Sequence, residues 1–467
     1  MWFRDDLRIA DHPALAEAAG DPGGVVALVV LDEASPGIRP LGAATKWWLH
    51  HSLTALRADL AGLGVPLVLR RGAASQHVPA VARAIGVTRA LWNRRYGGPE
   101  RAVDADVAGK LEASGIEVRT FLASLLFEPG TILTQQGDPF KVYSPFWRAC
   151  LAAPAPRGPI AAPAPSDPPA AAAAATAAQR AESEDLAAWE LTPTRPDWAA
   201  EFPWTPGERT AAARLADFLA TRAHRYAAER DVPAADVTSG LAPHLRFGEI
   251  SPNQVWHAAL ASGADVRTFL SEVGWREFAW HILFHWPDLA ERNFDPRFDA
   301  FPWSAVAAAD DGADAAASRT ADADDDPIAR WRAGRTGIPL VDAGMRELWR
   351  TGSMHNRVRM VVASFLVKNL LVDWRVGEAW FWDTLVDADA ASNPFNWQWV
   401  AGSGTDAAPY FRIFNPVTQE QKFDPEGAYV GRWAPDALLT PPMVDLRETR
   451  ARALAAHEEM KRRVEAP

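Results

Sequence analysis

GMRELWRTGSMHNRVRMVVASFLVKNLLVDWRVGEAWFWDTLVDADAASNPFNWQWVAGSGTDAAPYFR, residues 344–412, mixes Trp, Arg, Asn and Asp with a strong apolar pattern. Within it Val358, Val361, Val362, Phe365, Leu366 and Leu370 recur at three- and four-residue spacing, which predicts a helix over 354–371. On that helix Asn356, Arg359 and Met360 are neighbours at i, i+3 and i+4. An amide, a fixed cation and a soft thioether therefore share one patch. Downstream stand two acids, Asp387 and Asp389, then Asn393, then Trp397 and Trp399. The expectation is a surface that holds something flat and charged.

Toward the N-terminus the pattern changes. Short apolar runs at 25–31, 66–69, 90–92 and 116–121 alternate with helical patterns at 44–63, 74–85 and 99–113. Such alternation predicts a doubly wound parallel sheet, an α/β domain over 1–130. The first strand looks clipped, with only Met1, Trp2 and Phe3 ahead of Arg4, which suggests a start set slightly late. No Gly-x-Gly-x-x-Gly follows these strands, so a nicotinamide dinucleotide site is not supported. Residues 131–188 read as an Ala/Pro-rich interdomain linker. From 189 to 440 strand signals fade and an all-α domain is expected, interrupted by an Ala/Asp low-complexity insertion at 304–326. A charged helical tail, 441–467, follows.

The bulk properties narrow the field. The 467 residues, 48% hydrophobic, are enough for two or three domains and a sizeable core. A net charge of −11 speaks against a uniformly basic nucleic-acid binder, but the acid is concentrated in segments such as 322–326, leaving room for a local basic patch. One cysteine, Cys150, excludes an internal disulfide and a cysteine-ligated iron–sulfur cluster or zinc site. The histidines do not cluster at metal-ligand spacing, so no metal is expected. With no secretory signal and no apolar run of spanning length, a cytoplasmic protein off the membrane is expected. Tryptophan is abundant, 21 against 5 tyrosines. Its indole packs cores, stacks on bases and carries electrons, so its placement decides its meaning.

Three constellations could carry chemistry. Tyr226 precedes Thr238, Ser239, Gly240, Leu241 and Ala242, where hydroxyls and free backbone N–H groups ahead of a helical run could seat a phosphate; a plain helix cap has the same look. Glu272, Trp275 and Arg276 fall at i, i+3 and i+4, giving one helical face an acid, a stacking plate and a cation; a salt bridge beside a core Trp would look alike. In the opening stretch Arg359 and Asp387 could pair, leaving Asp389 and Asn393 for a ligand, and Trp397, Trp374 and Trp303 could be stepping stones from core to surface. No Gly-x-Ser-x-Gly elbow, P-loop or His-Glu-x-x-His is present. Demanding chemistry in such a chain belongs to an organic cofactor.

Taken together, WFRDDLRIADHPAL from Trp2, PFKVYSPFWRAC from Pro139, TSGLAPHLRFGEISP from Thr238, EVGWREF from Glu272 and WRAGRTGIPLVDAGMREL from Trp331 resemble the DNA photolyase/cryptochrome family. The run from MHNRVRM through TDAAPYFRIFNP extends the resemblance over nearly the whole chain. It implies an FAD held in the helical domain. Tyr226 and the loop Thr238, Ser239, Gly240, Leu241 and Ala242 would hold its phosphates. Arg359 and Asp387 would lie against the isoalloxazine, Asp389 and Asn356 nearby, and Asn393 would face flavin N5. Plant-type cryptochromes place an acid there, so Asn393 favours a photolyase. Trp397, Trp374 and Trp303 match the family's electron relay, with Trp331 an alternative end to it.

The resemblance also implies the substrate. Glu272, Trp275, Arg276, Asn356, Met360 and Trp399 match the pocket of cyclobutane pyrimidine dimer photolyases. The (6-4) photolyases carry histidines at the positions of Asn356 and Met360, because their lesion needs a proton donor. Splitting a cyclobutane ring needs only an electron lent and returned. The expected partner is DNA carrying pyrimidine dimers, met by a monomer. Glu272 is expected to hydrogen-bond the dimer, including from a protonated form. A second, antenna chromophore, a folate or a deazaflavin, belongs with the N-terminal domain of many family members. Ala290 and Glu291 replace the Cys and Lys of one folate-binding subgroup. The competing readings are a blue-light photoreceptor without repair activity and a light-independent flavin oxidoreductase.

Overall fold

A computed structural model describes residues 1–304, 326–406 and 410–465. Its N-terminal portion carries five parallel strands, β1 (Trp2–Phe3), β2 (Ala27–Leu31), β3 (Leu67–Arg71), β4 (Arg89–Asn93) and β5 (Glu117–Phe121). Ladders join β1–β2–β3 and β4–β5, in registers such as Trp2↔Leu28, Leu28↔Val68 and Ala90↔Val118. β4 runs beside β1, where Trp2 and Trp92 meet edge to face at 5.4 Å. The spatial order is therefore β3–β2–β1–β4–β5.

The strand ALVVL of β2 is buried along its whole length, as a central parallel strand must be. Its side chains alternate between two cores. Ala27, Val29 and Leu31 pack with Trp48, Leu53, Leu56 and Leu60 of helix Ala43–Gly62. Leu28 and Val30 pack instead with Val78 of helix Ala74–Ile85 and Val103 and Val107 of helix Gly98–Glu112. The two-residue side-chain period of a strand accounts for this division.

The expected linker contains more structure than its composition announced. Pro168–Gln179 is a helix whose N-terminus is capped by Asp167, accepting from Ala170 N–H at 2.8 Å. Two prolines open it, and alanine has the highest helix propensity of any residue. Ala170 and Ala174 are buried, and Ser166 N–H donates to Leu63 O at 2.9 Å, so the run docks on the α/β domain. The low-complexity insertion at 304–326 lies, but for its first and last residues, outside the described residues. The charged tail is helix Leu446–Glu465, with Thr449 buried and Ala453, Ala456 and Met460 packed with Phe298, Phe301 and Leu371. It is part of the helical core rather than an appendage.

The helix expected over 354–371 is broken in two. Asn356–Ser364 is α-helical, and Phe365–Asn369 widens into a π-helical turn. The buried Lys368 and Asn369 find partners there: Lys368 donates to Ala401 O, and Asn369 Nδ2 donates to Thr449 Oγ1 at 2.8 Å. The widened turn lets both polar groups bond inside the core, which an apolar periodicity does not reveal. The two portions of the chain interlock through Arg8, which donates to Gly248 O at 2.9 Å, and Trp48, whose Nε1 donates to Glu249 at 3.1 Å. Among the described residues no helix is long and apolar enough to cross a membrane.

Candidate cofactor and lesion site

A cavity of about 510 Å³ opens in the helical portion, within the range of small-molecule and cofactor sites. Three helices build most of its wall. Arg267–His285 buries Phe269, Leu270, Val273, Phe278 and Ile282 and turns Glu272, Trp275 and Arg276 to the cavity. Asn356–Ser364 contributes Asn356, Arg359 and Met360, its first turn capped by His355, whose Nδ1 accepts from Arg357 N–H at 3.2 Å. Ser392–Ala401 contributes Asn393, Trp397 and Trp399. Tyr226, Ser239, Leu241 and Ala242 also line the cavity.

The charged groups are held in place. Arg359 forms a two-pronged pair with Asp387, at 3.1 and 2.9 Å, while its Nε donates to Met354 O at 2.7 Å. Asp389 lines the cavity but works chiefly as a cap, accepting from the N–H groups of Ala391 at 2.8 Å and Ser392 at 2.5 Å. Asn393 directs its Nδ2 into the protein, donating to Glu378 O at 3.0 Å and Glu378 Oε1 at 2.8 Å. With Nδ2 so engaged, Oδ1 is the amide atom left for a ligand.

Trp275 stacks face to face on Tyr143, ring centroids 3.7 Å apart at 11°. Trp399 is anchored by Nε1 donating to Asp406 O at 3.1 Å. Burial holds the His355 imidazole at a pKa of about 4 and pushes the Tyr226 phenol up to about 12. Neither side chain changes charge near neutral pH, so neither is set to exchange protons with a ligand there.

Several expectations change. The helix after the Thr238–Ala242 stretch is only Ala242–Arg246, too short for a substantial macrodipole. Thr238 and Gly240 stand behind the wall, where Arg222 donates to Thr238 O at 3.2 Å and Arg214 lies against Gly240. An anion at this end would meet loop N–H groups and fixed cations rather than a helix terminus. Arg276 is not extended toward a phosphate: it donates to Ser124 O at 2.8 Å and stands 3.7 Å from Glu277. Glu272 is not a free donor, because Arg230 donates to its carboxylate. Arg230 was missed by the sequence reading, though it follows Tyr226 by four residues, one helical turn. Tyr143 was missed too: it lies 132 positions from Trp275, and nothing local links them.

Among the tryptophans, Trp397 is buried against Phe381, ring centroids 4.9 Å apart, and Trp331, 6.4 Å apart. Trp374 is fully buried, its Nε1 donating to Asn293 Oδ1 at 2.9 Å. Trp303 is half-buried and packs on Phe301 at 4.4 Å, whereas Trp331 is sealed in the core. Trp397 alone of the three relay candidates lines the cavity.

A doubly wound sheet joined to a helical domain with a deep, arginine-braced and tryptophan-walled cavity defines a flavoprotein of the photolyase type. Residues 1–169 match the family model described as DNA photolyase, and residues 269–441 match that of the FAD binding domain of DNA photolyase. The chain belongs to the DNA photolyase/cryptochrome family. It is 46% identical to a deoxyribodipyrimidine photo-lyase of Agrobacterium fabrum over 93% of this chain and 86% of that one. It is 34% identical to cryptochrome-1 of Arabidopsis thaliana, over 94% of this chain and 63% of the relative. The crystal structure of a class III photolyase from Agrobacterium tumefaciens superposes with a TM-score of 0.88 at 43% identity, covering 99% of this chain and 97% of the other.

The residues present fit FAD. The cavity is lined by an arginine–carboxylate pair of fixed geometry suited to a planar ring, by an amide whose Nδ2 is held, and by Arg230, a cation suited to a diphosphate. Among the described residues no group of His, Cys, Asp and Glu is placed to hold a metal ion.

Proposed function

We propose that this cavity seats FAD along its Arg359–Asp387 wall and receives a flipped cyclobutane pyrimidine dimer above it, so that the chain is a light-dependent deoxyribodipyrimidine photo-lyase. The observation that carries this reading is the sharing of one cavity: the residues expected to hold the cofactor and those expected to hold the lesion line the same space. Enzymes that act on a base within a duplex, photolyases among them, extrude it from the stack. Bound here, FAD would supply the light-driven electron that opens the cyclobutane ring and receive it back.

The chain's own residues do the positioning. Trp275, backed by Tyr143, and Trp399 present flat faces to two adjoining pyrimidines. Glu272 accepts from their N–H edges while Arg230 fixes its direction, and Asn356 and Met360 form the remaining wall. Tyr226, Ser239, Leu241 and Ala242 hold the diphosphate end. Trp397, Trp374 and Trp303 form the path by which electrons reach the cofactor from solvent. Trp303 ends it rather than Trp331, because the last member must meet water and Trp331 is fully buried. Action as a monomer and a cytoplasmic location belong to the same reading. A second, light-harvesting chromophore belongs with the α/β domain in this reading.

The test is direct. Purified protein should show flavin absorption that bleaches under blue light with a thiol, and should restore a dimer-containing oligonucleotide in light but not in darkness. Colourless protein, or flavin-loaded protein that leaves the dimer intact under light, would reject the reading. Flavin that photoreduces without repair would point to a photoreceptor instead.

A further inference from the structure

Asn393 is oriented by a chain of bonds that begins in the other domain. Its Nδ2 donates to Glu378 Oε1 at 2.8 Å, and Glu378 is 3% exposed. The same carboxylate is gripped from the far side by Arg39, whose Nη1 and Nη2 reach Oε1 and Oε2 at 2.8 and 2.9 Å. Arg39 lies over the ring of Trp382 at 4.2 Å, and Trp382 Nε1 donates to the neighbouring Pro40 O at 2.9 Å. Ala43 N–H donates to Asp383 Oδ1 at 2.9 Å. Gly42 sits so close that a Cβ there would stand 2.1 Å from Trp382 O. The 39–43 segment of the α/β portion is thus seated on helix Trp374–Thr384 at several points, and Arg39 is its charged tip.

We infer that Arg39 is a positioning residue for the flavin: through Glu378 it fixes which end of the Asn393 amide faces the cavity, and so helps set how readily bound FAD is reduced. The inference rests on the reading that FAD occupies the cavity with its N5 edge toward Asn393. A carboxylate accepts hydrogen bonds and does not donate them. While Arg39 occupies both oxygens in the two-pronged geometry that favours the ionised acid, Asn393 can meet Glu378 only with its N–H end. Its Oδ1 then faces the ligand. Oxidised flavin carries an acceptor at N5, whereas reduced flavin carries an N–H. An amide oxygen there favours the reduced form. Removing Arg39 leaves a buried carboxylate without its two-pronged counter-charge, a condition relieved by movement of the side chain. A displaced Glu378 side chain leaves only the main-chain carbonyl, 3.0 Å from Asn393 Nδ2, to hold the amide's direction.

The experiment uses FAD-loaded full-length protein and compares wild type with Arg39→Gln, Arg39→Lys, Glu378→Gln, Asn393→Ala and the double variant Arg39→Gln/Asn393→Ala. Spectroelectrochemical titration gives the flavin midpoint potential, and absorbance gives the dark reoxidation rate after photoreduction. Arg39→Gln should retain FAD and lower the equilibrium ratio of reduced to oxidised flavin about five-fold, the effect of one neutral hydrogen bond. Dark reoxidation should be faster. Arg39→Lys should recover part of the loss, and Glu378→Gln should shift in the same direction as Arg39→Gln. The double variant should match Asn393→Ala, because both changes act through one amide.

An Arg39→Gln protein with wild-type potential, or effects that add in the double variant, overturns the inference alone. If Arg39→Gln does not fold, a wild-type potential in the near-isosteric Glu378→Gln does the same. Wild type without FAD, or Asn393→Ala with unaltered flavin behaviour, sinks the cavity reading and this inference with it.

Discussion

Tyr143 and Trp275 are stacked face to face, 3.7 Å between ring centroids, with the Tyr143 hydroxyl tied to Ser271 O at 2.7 Å. The tyrosine belongs to helix Tyr143–Ala152, before the docked alanine helix, and the tryptophan to the cavity wall. Tyr143 therefore fixes the plane on which a pyrimidine would stack. Trp275→Ala should weaken binding of a dimer-containing oligonucleotide by about 1–3 kcal/mol while FAD content is unchanged. Tyr143→Leu should weaken it less, by loosening the plate. Equilibrium binding by fluorescence anisotropy checks both. Full affinity in Trp275→Ala would remove this side chain from the lesion pocket.

Arg230 and Glu272 form an ion pair within the cavity, the arginine also lying over the Tyr226 ring at 5.5 Å. One cation thus touches the acid expected at the lesion and the phenol expected at the cofactor. Glu272→Gln keeps the shape but offers only one oxygen as acceptor, and should cost about 1.5–3 kcal/mol of lesion affinity, the range for hydrogen bonds to charged groups. Arg230→Ala should cost less, and the double variant should fall well short of the sum, because the two residues act as one unit. Additive losses would show that Arg230 does not orient Glu272.

Much of this was legible in the amino-acid sequence. The alternation in 1–130 pointed to the parallel sheet because short strand-forming runs, β2 wholly apolar among them, lie between helical patterns. The i, i+3, i+4 spacing placed Glu272, Trp275 and Arg276 on one wall and Asn356, Arg359 and Met360 on another. What stayed hidden depends on contacts distant in sequence. Arg39 lies 339 positions from Glu378, and Tyr143 stacks on a residue in another helix. The alanine-rich segment did not announce its helix because its composition has no apolar periodicity, yet alanine is small enough to let the helix Pro168–Gln179 bury Ala170 and Ala174. The π-helical turn at Phe365–Asn369 misled because apolar periodicity says nothing about a buried Lys and Asn seeking partners.

Glu277 gives a pH dependence. It is buried, accepts from Leu126 N–H at 2.9 Å and Phe127 N–H at 3.3 Å, and its pKa is pushed up to about 7 by desolvation, which Arg276 only partly offsets. A carboxyl whose folded pKa exceeds its unfolded value binds more protons when folded. Its stability contribution is then full below about pH 4.5, the ordinary glutamate range, and is lost as pH rises through about 7. The loss is on the order of 3 kcal/mol at one pKa unit per 1.36 kcal/mol. Glu277→Gln should flatten the fall in thermal midpoint between pH 5 and pH 8 (about a three-unit span around the titration). An unchanged slope in Glu277→Gln would show that another group governs stability there.

Gly377 decides whether Trp397 can reach the cavity wall. A Cβ at 377 would stand 2.1 Å from Trp397 Cη2, 2.4 Å from Cζ3 and 2.7 Å from Leu366 Cδ2. None of these neighbours is a free side-chain end: Trp397 and Leu366 are both buried in the same core. Gly377→Ala should therefore destabilise the helical domain by about 1–3 kcal/mol, the usual range for overpacking. It should also tilt the Trp397 ring and slow photoreduction of bound flavin. Trp397→Phe leaves the glycine's space empty and removes the indole, so it should slow photoreduction with a smaller loss of stability. Thermal unfolding and blue-light bleaching with a thiol separate the two effects. Wild-type bleaching in both variants would mean that electrons enter by another path; in Gly377→Ala alone, it would mean that the ring's contact with this helix is structural only.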